Sequence, residues 1–160
     1  MSEITIENLC KKDIQETKTL FYSILDNTFS LTFPEEAIRK YKENWQFETF
    51  EKSIKDEDTV MLVAKNNNKI VGFLFGSPLN GGVASIAWVA VTAEVRGLGI
   101  GEMLCDRAKI AYHTIGAHKI VLYTETDSAR QFYERIGYSL EGTHPRHWWG
   151  VDHYCMAKQL

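Results

Sequence analysis

Arg96-Gly97-Leu98-Gly99-Ile100-Gly101 is the stretch of sequence that decides the fold. It lies between an apolar run, residues 83–91, and a run with helical character, residues 102–115. A helix begins with unpaired backbone N–H groups and the positive end of its dipole, and glycines leave such groups unshielded. The stretch therefore predicts a strand–loop–helix unit whose loop binds a phosphate or pyrophosphate.

Two better-known phosphate-binding loops do not match this spacing. No Lys-Ser or Lys-Thr pair follows the glycines, which excludes a P-loop. The G-x-G-x-x-G dinucleotide pattern fails because its last glycine position falls on Glu102 or Leu104. The pattern that remains is R-x-x-G-x-G. A glycine-rich turn without a ligand is the alternative to the predicted phosphate-binding loop.

Length and composition indicate a globular domain. The chain has 160 residues, of which 44% are hydrophobic and 24% charged, so we treat residues 1–160 as a single domain. The net charge of −3 without a basic cluster predicts no nucleic-acid partner and no membrane partner. The segment 1–5 lacks the features of an export signal, and the odd set Cys10, Cys105 and Cys155 favours free thiols. We therefore expect a cytoplasmic protein.

The pattern of apolar residues and turns predicts the order of elements along the chain. Because a strand–helix–strand passage surrounds the glycines, one parallel crossover is expected there, whereas the other strands can be antiparallel. The prediction is a mixed α/β (α+β) sheet of about seven strands flanked by about four helices, with Asp127 capping the last helix. The predicted strands are 4–6, 59–64, 70–75, 83–91, 118–124, 138–141 and 151–157.

A second block, Phe132-Tyr133-Glu134-Arg135-Ile136-Gly137-Tyr138, follows the glycine loop at a characteristic distance. Together, the two blocks resemble, in order and spacing, the signatures of the GNAT N-acyltransferase superfamily. The resemblance runs from Val83 to Tyr138, and the N-terminal order of elements also fits. It implies a GNAT-like twisted sheet and acetyl-CoA or CoA as cosubstrate, with no metal.

The resemblance also implies where acetyl-CoA would bind. In the family, the strand before the glycines diverges from the strand after the helix, and the pantetheine arm lies in the gap. Here the backbone of Val89, Ala90 and Val91 would pair with that arm, and one free N–H of Val89 or Val91 would polarise the thioester carbonyl. The pyrophosphate would lie on the N–H groups of one continuous run, namely Arg96, Gly97, Leu98, Gly99, Ile100, Gly101 and Glu102.

One position departs from the family pattern. Many members carry an asparagine that contacts pantetheine seven residues before the motif tyrosine, and here Thr126 holds that place. The hydroxyl of Thr126 or of Ser128 is the remaining candidate for this contact.

The expected reaction is direct attack of an amine on the thioester in a ternary complex. An alkyl ammonium has a pKa of about 10, so a base must remove its proton before it attacks. The resemblance makes Tyr133 the general acid for the leaving thiolate, with core packing as the alternative. Glu125, at the end of the strand after the crossover, is the first candidate base; Glu94 or a water chain are the others. Cys105 is a less favoured acyl carrier, since a small core residue is its commoner role.

The predicted acceptor site lies at the connection between the last two strands, residues 145–150. The resemblance makes His147, Trp148 and Trp149 the predicted substrate-binding residues there, and burial as an end-cap of the sheet is the alternative. A companion hypothesis is that aromatic residues of the N-terminal helical region form the opposite wall of the acceptor site. The alternative is that these residues pack in the core. They are Phe29, Phe33, Tyr41 and Trp45. The spacing of His144, His147, His153 and Cys155 raises zinc as a question, but their predicted strand positions favour no metal.

The resemblance therefore predicts an N-acetyltransferase that moves an acetyl group from acetyl-CoA to a primary amine of a small molecule or protein. A non-catalytic CoA-binding sensor or scaffold module is the alternative, and a general nucleotide phosphate-binding domain is the third hypothesis. The resemblance also implies a homodimer.

Overall fold

The computed structural model describes residues 3–160. Met1 and Ser2, at the start of the segment considered as an export signal, lie outside the described residues. The strands in chain order are β1 Ile4–Asn8, β2 Met61–Asn66, β3 Lys69–Gly76, β4 Val83–Val91, β5 Lys119–Thr124, β6 Ser139–His144 and β7 His153–Gln159.

Five α-helices accompany these strands in residues 3–160, where about four were predicted. The stretch from Pro34 to Ile54 holds two helices and not one, because Trp45 adopts φ −109° and ψ 67°, which is not helical. The helices are α1 Ile14–Asn27, α2 Glu35–Asn44, α3 Phe47–Lys55, α4 Ile100–Thr114 and α5 Asp127–Arg135.

The strands form a seven-stranded sheet in the order β1-β2-β3-β4-β5-β7-β6. Every neighbouring pair is antiparallel except β4 and β5, which are parallel. Parallel neighbours require a crossover connection, and the glycine loop followed by α4 supplies it. The predicted mixed, mostly antiparallel sheet with one parallel crossover is confirmed.

Helices cover both faces of the sheet, because the side chains of its central strands alternate between two cores. Phe73 and Phe75 on β3 pack with Phe21 of α1 and Phe50 of α3, and all four rings are fully buried. Leu74, between them, belongs to the core on the opposite face beneath α4. The buried strands hold β4 and β5 firmly at the point where the candidate site lies.

The start of α5 differs from the prediction that Asp127 caps it. Thr126 is the N-cap residue, and its Oγ1 accepts a hydrogen bond from the Ala129 N–H at 3.2 Å. Asp127 is the first residue of the helix, where a carboxylate complements the helix dipole. The prediction was wrong by one residue because both side chains are good caps and sequence alone does not distinguish them.

Candidate functional site

Strands β4 and β5 separate before either of them ends. Their parallel pairing stops at Ile86 and Leu122, although β4 continues to Val91 and β5 to Thr124. On its other side, β4 stays paired with β3 as far as Val91. The edge of β4 that faces β5 therefore has no strand partner beyond Ile86, and its N–H and C=O groups are available to a ligand.

An irregularity in the β3–β4 pairing marks the start of this separation. Phe75 pairs with Trp88 and Gly76 pairs with Ile86, so Ala87 is left as an extra residue in β4. Such a bulge bends the strand and increases its local twist. The bend turns Val89, Ala90 and Val91 away from β5.

The glycine loop ends at the N-terminus of α4. Gly97 has φ +80° and Gly99, the N-cap residue, has φ +75°, a backbone conformation that favours glycine. No heavy atom lies within 4 Å of the position that a Cβ would occupy on either residue. No side chain caps this helix, so the N–H groups of its first turn face open space.

The third glycine of the motif has a different role. Its φ is not positive, and a Cβ placed on Gly101 would lie 3.3 Å from the ring of Phe132. Gly101 therefore allows α4 and α5 to approach closely. This contact links the glycine loop to the second sequence block.

A cavity of about 610 Å³ connects the unpaired edge of β4, the glycine loop and α5. Two of the predicted cofactor residues are not part of its wall: Leu98 is 60% exposed, and the Thr126 hydroxyl caps α5. The predicted residues that line it are Val89, Ala90, Val91, Arg96, Gly97, Gly99, Ile100, Gly101, Glu102, Ser128 and Tyr133.

Part of the cavity wall was missed by sequence reasoning. The end of α1 contributes Ile24 and Thr28, and Arg135 of α5 adds a cation. Arg135 lies inside the second sequence block, which was a usable signal. Nothing local in the sequence of α1 indicates that its end reaches β4.

Tyr133 is a buried residue that lines the cavity. Its side chain is 8% exposed, and its ring packs against Phe132 at 5.0 Å and Tyr138 at 5.4 Å between centroids. Among residues 3–160, no side-chain hydrogen bond involves its hydroxyl. Burial raises the pKa of Tyr133 well above its ordinary value, so the hydroxyl stays protonated at neutral pH.

Glu125 and Glu94, the two predicted bases, have opposite environments. Glu125 is mostly buried just after β5, and burial raises the pKa of its carboxyl to about 7. Glu94 is exposed, and a hydrogen bond from its own backbone N–H lowers its pKa. A base that exchanges protons near neutral pH is the more effective one, so the electrostatics favour Glu125.

A family model of acetyltransferases, the GNAT family, matches residues 20–138, which include both the glycine loop and the block from Phe132 to Tyr138. The chain belongs to the GNAT family.

This GNAT chain is also similar to two curated relatives and to one solved structure. It is 35% identical over 101 residues to an uncharacterized N-acetyltransferase of Methanocaldococcus jannaschii, an alignment that covers 61% of this chain and 64% of the relative. It is 35% identical over 85 residues to N-alpha-acetyltransferase 30 of Schizosaccharomyces pombe, covering 48% of this chain and 55% of that one. The chain thus spans less than two thirds of the length of either relative.

The solved structure is that of PaiA N-acetyltransferase from Thermoplasma acidophilum in complex with coenzyme A. It superimposes on this GNAT chain with a TM-score of 0.85 over 99% of both chains, at 21% sequence identity. The two proteins therefore share one fold.

Cys105 is not an activated thiol in this GNAT fold. It lies in the core on the inner face of α4 with 4% of its surface exposed, and burial raises the pKa of its thiol to about 12. A nucleophilic cysteine needs a thiolate, which this environment disfavours. The buried position of Cys105 therefore does not favour it as an acyl carrier.

The three predicted acceptor residues of this GNAT chain are divided between two clusters. The rings of His147 and Trp148 lie 4.3 Å apart, and both contact Tyr123, at 5.4 Å and 4.9 Å. Trp149 instead faces Tyr41 of α2, at 6.2 Å between centroids. Of these three residues, only Trp149 therefore contacts the predicted opposite wall, through Tyr41.

Residues 3–160 also bear on metal binding and on membrane spanning. Among these residues, no three His, Cys, Asp or Glu side chains come together in an arrangement that could hold a metal ion. No helix in this part of the chain is both long and apolar enough to cross a membrane.

Proposed function

We propose that this protein is an N-acetyltransferase that transfers the acetyl group of acetyl-CoA to a primary amine of a small molecule or peptide. The observation that carries the proposal is the unpaired edge of β4 beside the uncapped N-terminus of α4, in one cavity. We treat residues 1–160 as a single N-acetyltransferase domain.

The cavity fits the two chemically different parts of CoA. The open space beside Gly97 and Gly99 and the first-turn N–H groups of α4 suit the pyrophosphate. The edge of β4 at Val89–Val91 offers backbone groups to the amides of the pantetheine arm, as an added strand would. Arg96 and Arg135, which line the same cavity, add positive charge for the phosphates.

The chemistry requires a base that takes a proton from the acceptor and an acid that gives a proton to the leaving thiolate. In the proposed reaction, Glu125 takes the proton from the acceptor ammonium, and the freed amine nitrogen bonds to the acetyl carbon. The C–S bond then breaks, and the electron pair leaves on the sulfur. Tyr133 donates its hydroxyl proton to that thiolate, and its phenolate then takes the second proton from the nitrogen, which becomes the neutral amide. Glu125 releases the proton it took to solvent, which completes the cycle.

A substitution in the glycine loop tests the pyrophosphate site. Gly99→Val is expected to weaken CoA binding about tenfold or more, because the lost hydrogen bonds to a charged group have that magnitude. A β-branched residue at φ +75° is strained and moves the N–H groups at the start of α4. Titration calorimetry with CoA measures the change.

The other end of the same helix offers a matched control. Gly116 has φ +97° and open space around its missing Cβ, so Gly116→Val introduces similar strain. This variant should lose stability and keep its affinity for CoA. An equal loss of affinity in both variants would mean that the effect is general destabilisation and not a change in the loop.

A ligand and activity test addresses the proposed function as a whole. Saturating CoA should raise the melting temperature by about 5–10 °C, whereas ATP and NAD should not, because the pantetheine arm supplies part of the binding energy. Thiol release from acetyl-CoA should then depend on an added primary amine. Stabilisation without amine-dependent thiol release would favour the non-catalytic CoA-binding module, and protection by ATP or NAD would favour the nucleotide-binding hypothesis.

A further inference from the structure

Four aromatic side chains from distant parts of the chain form a continuous surface next to the cavity, which we call the aromatic wall. It consists of Phe29, Tyr41, Trp88 and Trp149. The ring centroids are 5.0 Å apart for Phe29 and Trp88, and 4.9 Å apart for Tyr41 and Trp88. Tyr41 and Trp149 follow at 6.2 Å. The wall therefore joins the N-terminal helices, β4 and the β6–β7 connection.

The aromatic wall continues directly from the proposed acetyl-CoA cavity. Phe29 lines that cavity, and Trp88 immediately precedes Val89, which also lines it. Burial raises the pKa of both Tyr41 and Tyr133, and the charge of Glu125 contributes to each rise. The Glu125 carboxyl is therefore close enough to act electrostatically on both the wall and the proposed general acid.

The position of Trp149 carries a backbone cost. Its φ of +60° is unusual for a residue with a side chain and costs about 1–3 kcal/mol. Its ring is still 38% exposed, so core packing does not account for all of this strain. The strained conformation holds the exposed indole against Tyr41 at the open end of the wall, where a ligand can contact it.

Among residues 3–160, Glu125 forms no ion pair, so its carboxyl group is available to the ammonium group of an acceptor.

We infer that the acceptor is a primary amine carried on an apolar or aromatic body. Its ammonium group lies against Glu125 and its body against the aromatic wall. The inference rests on the proposed function and names the acceptor class for the same site. Aromatic rings stabilise such a body by burying its apolar surface, and a charged group placed there would lose its hydration.

Matched amines test the inference in thiol-release assays on the full chain. The catalytic efficiency for hexylamine should exceed that for hexamethylenediamine about tenfold or more, because only the second ammonium differs between them. Phenethylamine should be at least as good as hexylamine. A short peptide with an N-terminal phenylalanine distinguishes a polypeptide source of the same chemistry from a small-molecule source.

A glycine substitution removes one ring of the wall without disturbing the backbone. Gly accepts the φ of +60° at position 149, so Trp149→Gly should lower the efficiency for phenethylamine about tenfold and that for the shorter ethylamine much less. CoA affinity should stay unchanged. Leu31→Ala, at an apolar residue that is 84% exposed, is the control and should change neither substrate.

Each result separates this inference from the proposed function. If the diamine is acetylated as well as or better than hexylamine, or if Trp149→Gly lowers both substrates equally, the inference is wrong and the proposed function stands. If CoA binds but no apolar amine releases thiol, the inference is also wrong. If CoA does not bind at all, the proposed function fails and the inference fails with it.

Discussion

Tyr133→Phe should lower the turnover number about a hundredfold while leaving the affinity for CoA close to that of the unchanged protein. The substitution removes one oxygen atom and keeps the buried ring in place between Phe132 and Tyr138. Because no side-chain hydrogen bond among residues 3–160 depends on that hydroxyl, folding should be little affected. Steady-state kinetics by thiol release, with calorimetry for CoA, measure the two quantities separately.

The neighbouring Tyr138 provides a control with matched chemistry. It is 4% exposed, its hydroxyl has no hydrogen-bond partner, and its ring lies 5.4 Å from that of Tyr133. It does not line the cavity, so Tyr138→Phe should leave turnover unchanged. A similar loss in both variants, or no loss in Tyr133→Phe, would remove Tyr133 from the role of general acid.

Glu125→Gln is the second change with a large expected effect. If Glu125 is the base, this variant should lose about a hundredfold or more in turnover, because the amide cannot accept the ammonium proton. In the unchanged protein, the rate should rise as the pH increases through about 7, the value to which burial raises the pKa of this carboxyl. In the variant this rise should disappear.

Glu125→Gln should raise the stability of the protein at alkaline pH although it lowers the turnover. The carboxyl binds its proton more tightly in the folded state than in the unfolded chain, where a glutamate has a pKa near 4.3. The free energy of unfolding therefore falls as the pH rises from that value through about 7. At alkaline pH the glutamine variant should melt at a higher temperature than the unchanged protein.

Loss of activity with gain of stability distinguishes a functional carboxylate from a structural one. Glu94→Gln tests the other predicted base, whose exposed carboxyl has a lowered pKa and should make little difference to the rate. If Glu94→Gln abolished the pH-dependent rise and Glu125→Gln did not, the base would have to be reassigned.

Much of the fold was predictable because its signals are local. Strand β4 begins and ends where its apolar run does, at Val83 and Val91. The glycines mark the turn into α4, and two of them adopt the positive φ that only glycine adopts easily. The parallel crossover follows from this strand–loop–helix order, so sequence reasoning was sufficient for the topology around the loop.

Other features depend on residues that are distant in sequence. The bulge at Ala87 arises from how β3 and β4 pair, and neither strand shows it alone. Thr126 was expected at the cofactor, but its hydroxyl caps α5, which leaves Ser128 at the cavity. The adjacent Trp148 and Trp149 face different clusters because the backbone turns sharply at the second of them.

The sequence by itself determined the family, the order of the elements and the backbone of the glycine loop, since these follow from local conformational preference and motif spacing. Only the tertiary structure decided the widening between β4 and β5, the burial that raises the pKa of Glu125, and the joining of four aromatic rings into one wall. The physical reason is that pairing, desolvation and ring contacts depend on which distant segments meet, and that becomes defined when the sheet and helices pack together.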